Sequence, residues 1–338
     1  MIFPPLTTQL IAASHKLTVQ RFGRVIKLFA PLYISNECVD TCTYCGFSRL
    51  HKIKRLTLTA EQILAEAHYL IDQGFQHLLL VSGEHPKKVS VPFLCEIARM
   101  LRPKLASLAI EVAPFEEADY RTLAQAGVDT VALYQETYDR ETYHRYHLGG
   151  PKQDYDRRIR LVSEACRAGI RTVGLGILLG LHPWEKELPR LLQHVQQLMK
   201  EFWQTQFTIS LPRLKPSAAG FVPPHPVSDK DFARMICILR LELPDVGIIL
   251  STREPPELRN LLLNMGITQM SAGSRTEPGG YLHPENSDKQ FELEDHRSPA
   301  EVVTAITNAG YTPVWKDWDL CLATPPQADR NDIKQEKI

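Results

Sequence analysis

The sequence has no excess of either charge and no long apolar run. Its 338 residues include 39 Lys and Arg against 39 Asp and Glu, so no net field draws the chain to nucleic acid or membranes, and no polybasic run indicates a local one. Nowhere do about 18 apolar residues follow one another, and residues 1–20 lack the pattern of a secretory signal. We therefore expect a cytoplasmic protein with small-molecule partners, and no nucleic-acid or membrane binding.

The cysteines also lack the paired spacings of a disulfide framework. There are seven in all, and four of them lie scattered in segments predicted to be helical or terminal. These four are Cys95, Cys166, Cys237 and Cys321. In a long intracellular chain each is expected to be a small buried apolar residue. Only the remaining three cysteines have the spacing of metal ligands.

Those three, Cys38, Cys42 and Cys45, form a C-x3-C-x2-C triad within eight residues. Three thiolates on one loop can each hold one iron of a cubane cluster, which leaves the fourth iron open to a small molecule. A zinc site completed by His51 or a distant residue is an alternative, although structural zinc sites more often use two C-x2-C pairs. A non-catalytic iron-sulfur electron carrier is another, but an open iron and a chain of this size suit it poorly.

Strand-like and helix-like segments alternate along the chain. The helix-like stretch from Thr59 to Ile71 has apolar residues at helical spacing behind a Thr59-x-x-Gln62 capping box. Five helices are predicted to end at a glycine: Gly74, Gly127, Gly169, Gly266 and Gly310. Eight strands are predicted, at 26–34, 77–82, 107–112, 130–134, 172–178, 206–211, 247–251 and 267–271.

Eight strand-helix units over some 250 residues are the size of a closed (β/α)8 barrel of the TIM type. An open doubly wound sheet is the alternative, although it usually needs fewer strands. We expect an N-terminal helical extension (1–25), the barrel with its C-terminal capping segments (26–320) and a loose tail (321–338). The first strand leads directly into the cysteines, which places them at the mouth of the barrel. Two further segments, 212–228 with five prolines and the polar 276–299, are expected to cover that mouth.

The triad after the first strand resembles the signature of the radical S-adenosylmethionine superfamily. Seven further segments follow one another along the chain: Pro31-Leu32-Tyr33-Ile34-Ser35-Asn36, Leu79-Leu80-Val81-Ser82-Gly83-Glu84-His85, Tyr134-Gln135-Glu136-Thr137-Tyr138, Ser210-Leu211-Pro212-Arg213-Leu214, Ser251-Thr252-Arg253-Glu254, Pro278-Gly279-Gly280-Tyr281 and Val314-Trp315-Lys316-Asp317-Trp318. Together, and in this order, they resemble one branch of that superfamily, the thiazole-pathway tyrosine lyases or 2-iminoacetate synthases.

The resemblance implies a 4Fe-4S cluster and S-adenosyl-L-methionine as cofactors, and L-tyrosine as the substrate. A 5'-deoxyadenosyl radical would take a hydrogen from the amino group of tyrosine, after which the Cα–Cβ bond breaks. The products would be 2-iminoacetate (dehydroglycine) and 4-methylphenol, with 5'-deoxyadenosine and methionine also formed. The implied partners are the thiazole synthase of thiamine biosynthesis and a reductant such as flavodoxin or ferredoxin.

The resemblance also implies residues that bind S-adenosylmethionine. Tyr44 lies between the last two cysteines, and Ser82-Gly83-Glu84 matches a glycine-glycine-glutamate segment, with serine in place of the first glycine. Glu136 suits the ribose hydroxyls, and Arg158 the methionine carboxylate, although the neighbouring Arg157 leaves that assignment open by one position. The alternatives are a solvated loop carboxylate for Glu84 and a surface ion pair for Glu136. The glycines of Gly174-x-Gly176-x-x-x-Gly180 suggest close backbone approach to the adenosyl group.

For the amino-acid substrate, a carboxylate in an apolar cavity needs a cationic partner, and Arg253 is the candidate. Ser271 or Ser274 could add a hydroxyl donor. The alternative for Arg253 is a salt bridge to Glu254 or Asp317. Candidates to contact the phenol are Tyr33, Tyr134, Tyr138, His85 and Tyr281.

Two rival enzymes share much of this pattern. The tyrosine lyase of hydrogenase-cofactor assembly carries a C-terminal extension with a second cysteine-ligated cluster, whereas only Cys321 lies near the end of this sequence. The tryptophan lyase of indolic-acid formation is harder to separate, because one polar group in the pocket could change the substrate.

Overall fold

The alternation of strands and helices builds a single sheet of nine parallel strands. A computed structural model describes residues 3–316. The strands are β1 (Val25–Ser35), β2 (His77–Ser82), β3 (Ser107–Glu111), β4 (Thr130–Ala132), β5 (Thr172–Gly176), β6 (Gln206–Ser210), β7 (Gly247–Leu250), β8 (Gln269–Ser271) and β9 (Thr312–Val314). The helices are α1 (Thr8–Phe22), α2 (Ala60–Asp72), α3 (Val91–Leu101), α4 (Glu117–Ala126), α5 (Arg140–Tyr146), α6 (Tyr155–Arg167), α7 (Trp184–Glu201), α8 (Asp229–Glu242), α9 (Pro256–Leu262) and α10 (Pro299–Asn308).

Strands β1 to β8 close into a barrel. Each pairs in parallel with the next, and β1 pairs with both β2 and β8, so the sheet has no free edge within that ring. The predicted (β/α)8 barrel is therefore confirmed, and the open doubly wound sheet was the wrong alternative. Strand β9 was not predicted; it is three residues long and pairs with the start of β1, where Val25 faces Thr312.

The helices begin and end where their sequence signals lie. Thr59 and Gln62 form the predicted capping box at the start of α2, whose Ile63, Ala67 and Leu70 are buried against the barrel. The five glycines predicted to end helices all have positive φ, between +80° for Gly310 and +134° for Gly266. A residue with a Cβ adopts that conformation only with strain, so the glycines mark the turns back toward the strands.

The three isolated cysteines that the structure describes, Cys95, Cys166 and Cys237, are buried, as expected; Cys321 lies outside the described residues. So do Asp317, Trp318 and the predicted tail at 321–338. Helix α1 packs on α8 and on the turn before β8, to which Ser14 donates a hydrogen bond at Met265 O (2.7 Å). Within residues 3–316, no helix is long and apolar enough to cross a membrane.

Two long segments, 212–228 and 276–299, contact the cysteine loop at the mouth of the barrel. In 212–228, Ser217 Oγ donates to the carbonyl of Tyr44 (3.4 Å) and the ring of Phe221 packs edge-on against Tyr44. In 276–299, Gln290 lies over the cysteine loop so closely that a Cβ added to Gly46 would stand 2.2 Å from the Gln290 carbonyl oxygen. These contacts hold both segments against the cysteine loop.

Candidate active site

The three cysteines of the triad line one cavity at the mouth of the barrel. Their loop leaves β1 and is held by Arg55, which donates hydrogen bonds to the carbonyls of Phe47 and Ser48, both at 2.7 Å. The loop after β2 packs against it without space for a side chain, since a Cβ added to Gly83 would lie 2.4 Å from the carbonyl oxygen of Glu37. Glycine at position 83 therefore lets two loops meet behind the thiols.

The thiols are buried, and this raises the pKa of each. Burial first, and then the charges of Cys45, Glu84 and Asp40, raise the pKa of Cys38 to about 12; burial also raises the pKa of Cys42 and of Cys45. Such thiols keep their protons until a metal displaces them. Three thiols that face one cavity fit a cubane bound through three of its irons.

The zinc alternative finds no support in this geometry. His51 is not among the residues that line the cluster cavity. Within residues 3–316, no three His, Cys, Asp or Glu side chains are grouped as ligands of a single ion.

Four charged side chains form a buried network in the same cavity. Arg158 Nη1 lies 2.9 Å from Glu84 Oε1, and Lys152 Nζ lies 3.4 Å from Glu84 Oε1 and 2.8 Å from Glu136 Oε1. Each of the four side chains is at most 12% exposed. Burial alone would raise the pKa of Glu84, but Arg158 and Lys152 outweigh it and lower that pKa. Glu84 is thus not a solvated carboxylate, and the ion pair of Glu136 is not on the surface.

The two neighbouring arginines point to different places. Arg158 is buried and donates from Nε to the Tyr134 carbonyl (2.7 Å) as well as to Glu84. Arg157 instead pairs with Glu116, at 3.1 Å, on the outside of the barrel. Of the two, it is Arg158 that lines the cluster cavity.

Glu136 stands on a strained turn. It is the one non-glycine residue with positive φ (+71°) among residues 3–316, a conformation that costs about 1–3 kcal/mol. The turn is held by the buried Glu187 of α7, which accepts hydrogen bonds from Thr137 Oγ1 (2.8 Å) and Tyr138 N (2.7 Å). The surrounding structure thus fixes the Glu136 carboxylate toward the cavity.

Ser82, Gly83 and Glu84 all line the cluster cavity, but Tyr44 does not. Ser82 Oγ donates to the Gly83 carbonyl at 2.9 Å, and that oxygen retains a second lone pair for a ligand. The Tyr44 hydroxyl instead bonds His147 Nε2 at 2.8 Å. A contact from Tyr44 to a cofactor stays a prediction.

A second cavity lies deeper in the mouth, and Arg253, Ser271 and Ser274 all line it. The guanidinium of Arg253 stacks over Phe291, 3.4 Å from the ring centre, and within residues 3–316 it makes no hydrogen bond or ion pair. Ser271 Oγ accepts a hydrogen bond from Thr252 N at 3.1 Å, whereas the buried Ser274 Oγ has no partner within the described residues. A cation and a free hydroxyl are therefore available to a ligand.

The alternative ion pair of Arg253 is not formed with Glu254. That carboxylate pairs with Arg213, and Lys215 Nζ lies 3.6 Å from it. Asp317, the other possible partner, lies outside the described residues.

Of the five residues considered for the phenol, Tyr33 and Tyr134 line the second cavity. The Tyr33 hydroxyl donates to Gln290 Oε1 at 2.8 Å. The hydroxyl of Tyr281 donates to the Pro31 carbonyl (2.6 Å), and that of Tyr138 bonds His194 (2.8 Å), so both are engaged away from it. His85 lines neither cavity.

Sequence reasoning missed three residues of the site: Glu111, Lys152 and Gln290. Glu111 had a usable signal, because it is a charged residue at the carboxyl end of a predicted barrel strand, where active sites of this fold lie. Lys152 lies in a short 3-10 helix (Pro151–Gln153) and Gln290 in a loop, and only the tertiary structure brings them to the cavity.

Comparison with known proteins agrees with this geometry. Residues 32–195 match the profile of the radical SAM superfamily, and residues 210–312 match the Biotin and Thiamin Synthesis associated domain. The chain is 41% identical to the 2-iminoacetate synthase of Escherichia coli, over 94% of this chain and 85% of that protein. It is 40% identical to the Salmonella typhimurium enzyme of the same name, over 93% and 84%.

A solved structure shares the fold. The FeFe-hydrogenase maturase HydG from Carboxydothermus hydrogenoformans matches with a TM-score of 0.85 and 37% identity, over 90% of this chain and 71% of that one. A second HydG crystal structure gives a TM-score of 0.86 at 36% identity, over 91% and 69%.

Proposed function

The chain belongs to the 2-iminoacetate synthase family of the radical S-adenosylmethionine superfamily, and from this premise we propose that it cleaves the Cα–Cβ bond of L-tyrosine. The products are 2-iminoacetate and 4-methylphenol, and the 2-iminoacetate serves thiazole synthesis for thiamine. One observation on the residues of this chain supports the proposal. A cavity lined by three thiols adjoins a cavity that holds an arginine and a hydroxyl, neither of which is paired with any of residues 3–316.

At the first cavity, Cys38, Cys42 and Cys45 hold the 4Fe-4S cluster. When bound, the cluster and S-adenosylmethionine supply the 5'-deoxyadenosyl radical that takes a hydrogen atom from the substrate. The buried charges that share this cavity with the thiols suit the polar ends of that cofactor: Glu136 would accept from the ribose hydroxyls, and Arg158 would bind the methionine carboxylate. The carbonyls of Ser82 and Gly83 and the carboxylate of Glu84, which line the same cavity, would receive its amino group.

At the second cavity, Arg253 binds the carboxylate of tyrosine. A planar guanidinium offers two parallel N–H donors to a carboxylate, and stacking on Phe291 fixes its plane. Ser274 adds a hydroxyl without a competing partner, and Ser271 can donate its own proton while it accepts from Thr252. Tyr33 and Tyr134 line the wall that is available to the aromatic ring.

We infer two protein partners, a one-electron donor such as flavodoxin or ferredoxin and the thiazole synthase that takes up the product. The donor is supported by the exposed loop after the triad, where Arg49, Lys52 and Lys54 offer positive charge to an acidic carrier. A cytoplasmic location suits the six described cysteines, all of which are free thiols.

An anaerobic assay tests the function. Reconstituted protein with dithionite, S-adenosylmethionine and L-tyrosine should yield 5'-deoxyadenosine and 4-methylphenol together. Cys42→Ser should abolish both products, whereas the matched control Cys95→Ser, a buried thiol on α3 away from the cavity, should retain them. Deoxyadenosine without 4-methylphenol, or product from tryptophan in preference to tyrosine, would refute the tyrosine assignment.

A further inference from the structure

Glu111 occupies a central level of the barrel mouth. It is the last residue of β3 and lies beside Val81 of β2, which in turn lies beside Tyr33 of β1. These three residues therefore stand side by side around the inner wall, just below the loops that carry the cysteines.

The two cavities of the active site meet at Glu111. The cluster cavity and the cavity of Arg253 share three lining residues, Val81, Glu111 and Tyr134. Of the three, only Glu111 carries an ionisable carboxyl group. A ligand that fills the second cavity and reaches toward the first must pass this side chain.

Within residues 3–316 the carboxyl group of Glu111 makes no hydrogen bond and no ion pair. Burial raises the pKa of Glu111 to about 7, and the positive charge of Arg253, which follows β7, opposes this rise. Glu136 after β4 adds to the rise, and Lys152 and Arg158 oppose it. An unpaired carboxyl group in an enclosed cavity is costly unless a ligand supplies donors, so Glu111 is placed to receive a cationic group.

We propose that Glu111 binds the α-amino group of the substrate while Arg253 binds its carboxylate. This rests on the proposed function and deepens it. An α-amino acid carries its cation and its anion on one carbon, and the second cavity presents an anion and a cation that face the same space. Because Glu111 also lines the cluster cavity, an amino group held there would lie on the side of tyrosine that faces the cofactor site, as loss of hydrogen from that group requires.

Glu111 also has a chemical task in this arrangement. Tyrosine arrives as an ammonium ion, and transfer of one proton to the Glu111 carboxylate leaves a neutral amine and a carboxylic acid, with charge and protons conserved. The neutral amine is the form that would give a hydrogen atom to the radical supplied by the bound cofactor, with 5'-deoxyadenosine as the product. Glu111 is thus a catalytic residue that contacts the reacting nitrogen.

A pair of ligands tests the proposal without turnover. The reconstituted enzyme with S-adenosylmethionine but no reductant is titrated anaerobically, by calorimetry, with L-tyrosine and with 3-(4-hydroxyphenyl)propanoate, which lacks the amino group. Glu111→Gln should weaken tyrosine binding by about tenfold or more, because a charge-assisted hydrogen bond is lost. It should change the affinity for the desamino ligand by less than about twofold. Arg253→Gln should weaken both ligands.

Two further variants complete the test. Glu111→Asp keeps the charge and should recover part of the preference for tyrosine, whereas Glu96→Gln, the same change at an exposed position on α3, should match the wild type. With reductant added, Glu111→Gln should form 5'-deoxyadenosine in excess of 4-methylphenol. Unchanged tyrosine affinity in Glu111→Gln, or equal weakening of both ligands, overturns the proposal. If the wild type itself neither binds nor cleaves tyrosine, the proposed function fails instead.

Discussion

At the residue scale, the site is defined by polar side chains that have no hydrogen-bond partner among the described residues and can therefore bind a ligand. The guanidinium of Arg253 and the hydroxyl of Ser274 lack hydrogen-bond partners within the described residues, although both lie inside the mouth. Buried polar groups are rarely left in this state unless a ligand completes them. By contrast, Glu84 and Arg158 satisfy each other, so a ligand at their cavity must compete with an existing ion pair.

Arg253→Lys tests the substrate carboxylate at this scale. Lysine keeps the charge but loses the planar pair of donors and the stacking on Phe291. We expect kcat/KM for tyrosine to fall about tenfold to a hundredfold, mainly through KM, on the basis of the usual strength of charged hydrogen bonds. The measurement is steady-state release of 4-methylphenol. Arg121→Lys, an exposed arginine on α4, is the matched control, and an equal loss in both variants would contradict the assignment.

At the element scale, the segment 276–299 is polar and irregular, yet buried acids anchor it at separate points. Glu66 of α2 accepts hydrogen bonds from Tyr281 N (3.0 Å) and Leu282 N (2.9 Å). Near the far end, Asp295 pairs with Arg259 of α9, and both side chains are fully buried. Between these anchors Gln290 reaches Tyr33 and lies over the cysteine loop. The cover is thus part of the folded barrel.

Asp295→Asn tests this anchoring through stability. The change leaves the buried Arg259 without its counter-charge, which should cost about 3–5 kcal/mol of unfolding free energy. Burial alone would raise the pKa of Asp295, but Arg297 and Arg259 hold it below its usual value. The stabilisation is therefore complete above the unfolded pKa, about 3.9, and is lost as the pH falls through the lower folded pKa.

Urea unfolding between pH 3 and pH 8 measures this. The difference between wild type and Asp295→Asn should be constant from pH 5 to pH 8 and shrink below about pH 4. Asp156→Asn, which removes an exposed partner of Arg140, serves as the control and should change the midpoint little. A difference that persists undiminished at pH 3 would show that the anchor is not electrostatic.

At the scale of the whole molecule, the net charge is zero, but one loop carries an excess of positive charge. Four of the seven residues 49–55 are Lys or Arg and none is acidic, and this loop directly follows the cysteines. Sequence analysis considered only the net charge and unbroken basic runs. It therefore predicted no local electrostatic field. The fold exposes Arg49, Lys52 and Lys54, the residues to which we assign contact with the proposed electron donor.

Lys52→Glu tests that entry face. With reduced flavodoxin as donor at low salt, the initial rate of 5'-deoxyadenosine formation should fall by about tenfold, because reversed charge slows electrostatically steered encounter. With dithionite the rate should match the wild type. Lys230→Glu, an exposed lysine on α8, should leave both rates unchanged. Equal slowing with both reductants would instead indicate damage to the site itself.

The sequence by itself determined the barrel, the cysteine triad and the family. All eight barrel strands and the capping box of α2 follow from local signals, because periodicity, caps and turns depend on neighbouring residues. The family could also be recognised from the sequence, because its motifs are short local segments in a fixed order. The short β9 was not predicted, because three residues hold too little pattern to distinguish a strand from a loop.

Only the tertiary structure decided which side chains share a cavity. It turned Arg158 inward and Arg157 outward, left Arg253 without an ion pair to Glu254, and placed Glu111 where the two cavities join. It also brought Lys152 and Gln290 to the thiols from distant loops. The physical reason is that burial and charge pairing depend on residues far apart in the chain, and their meeting is fixed by barrel closure rather than by local pattern.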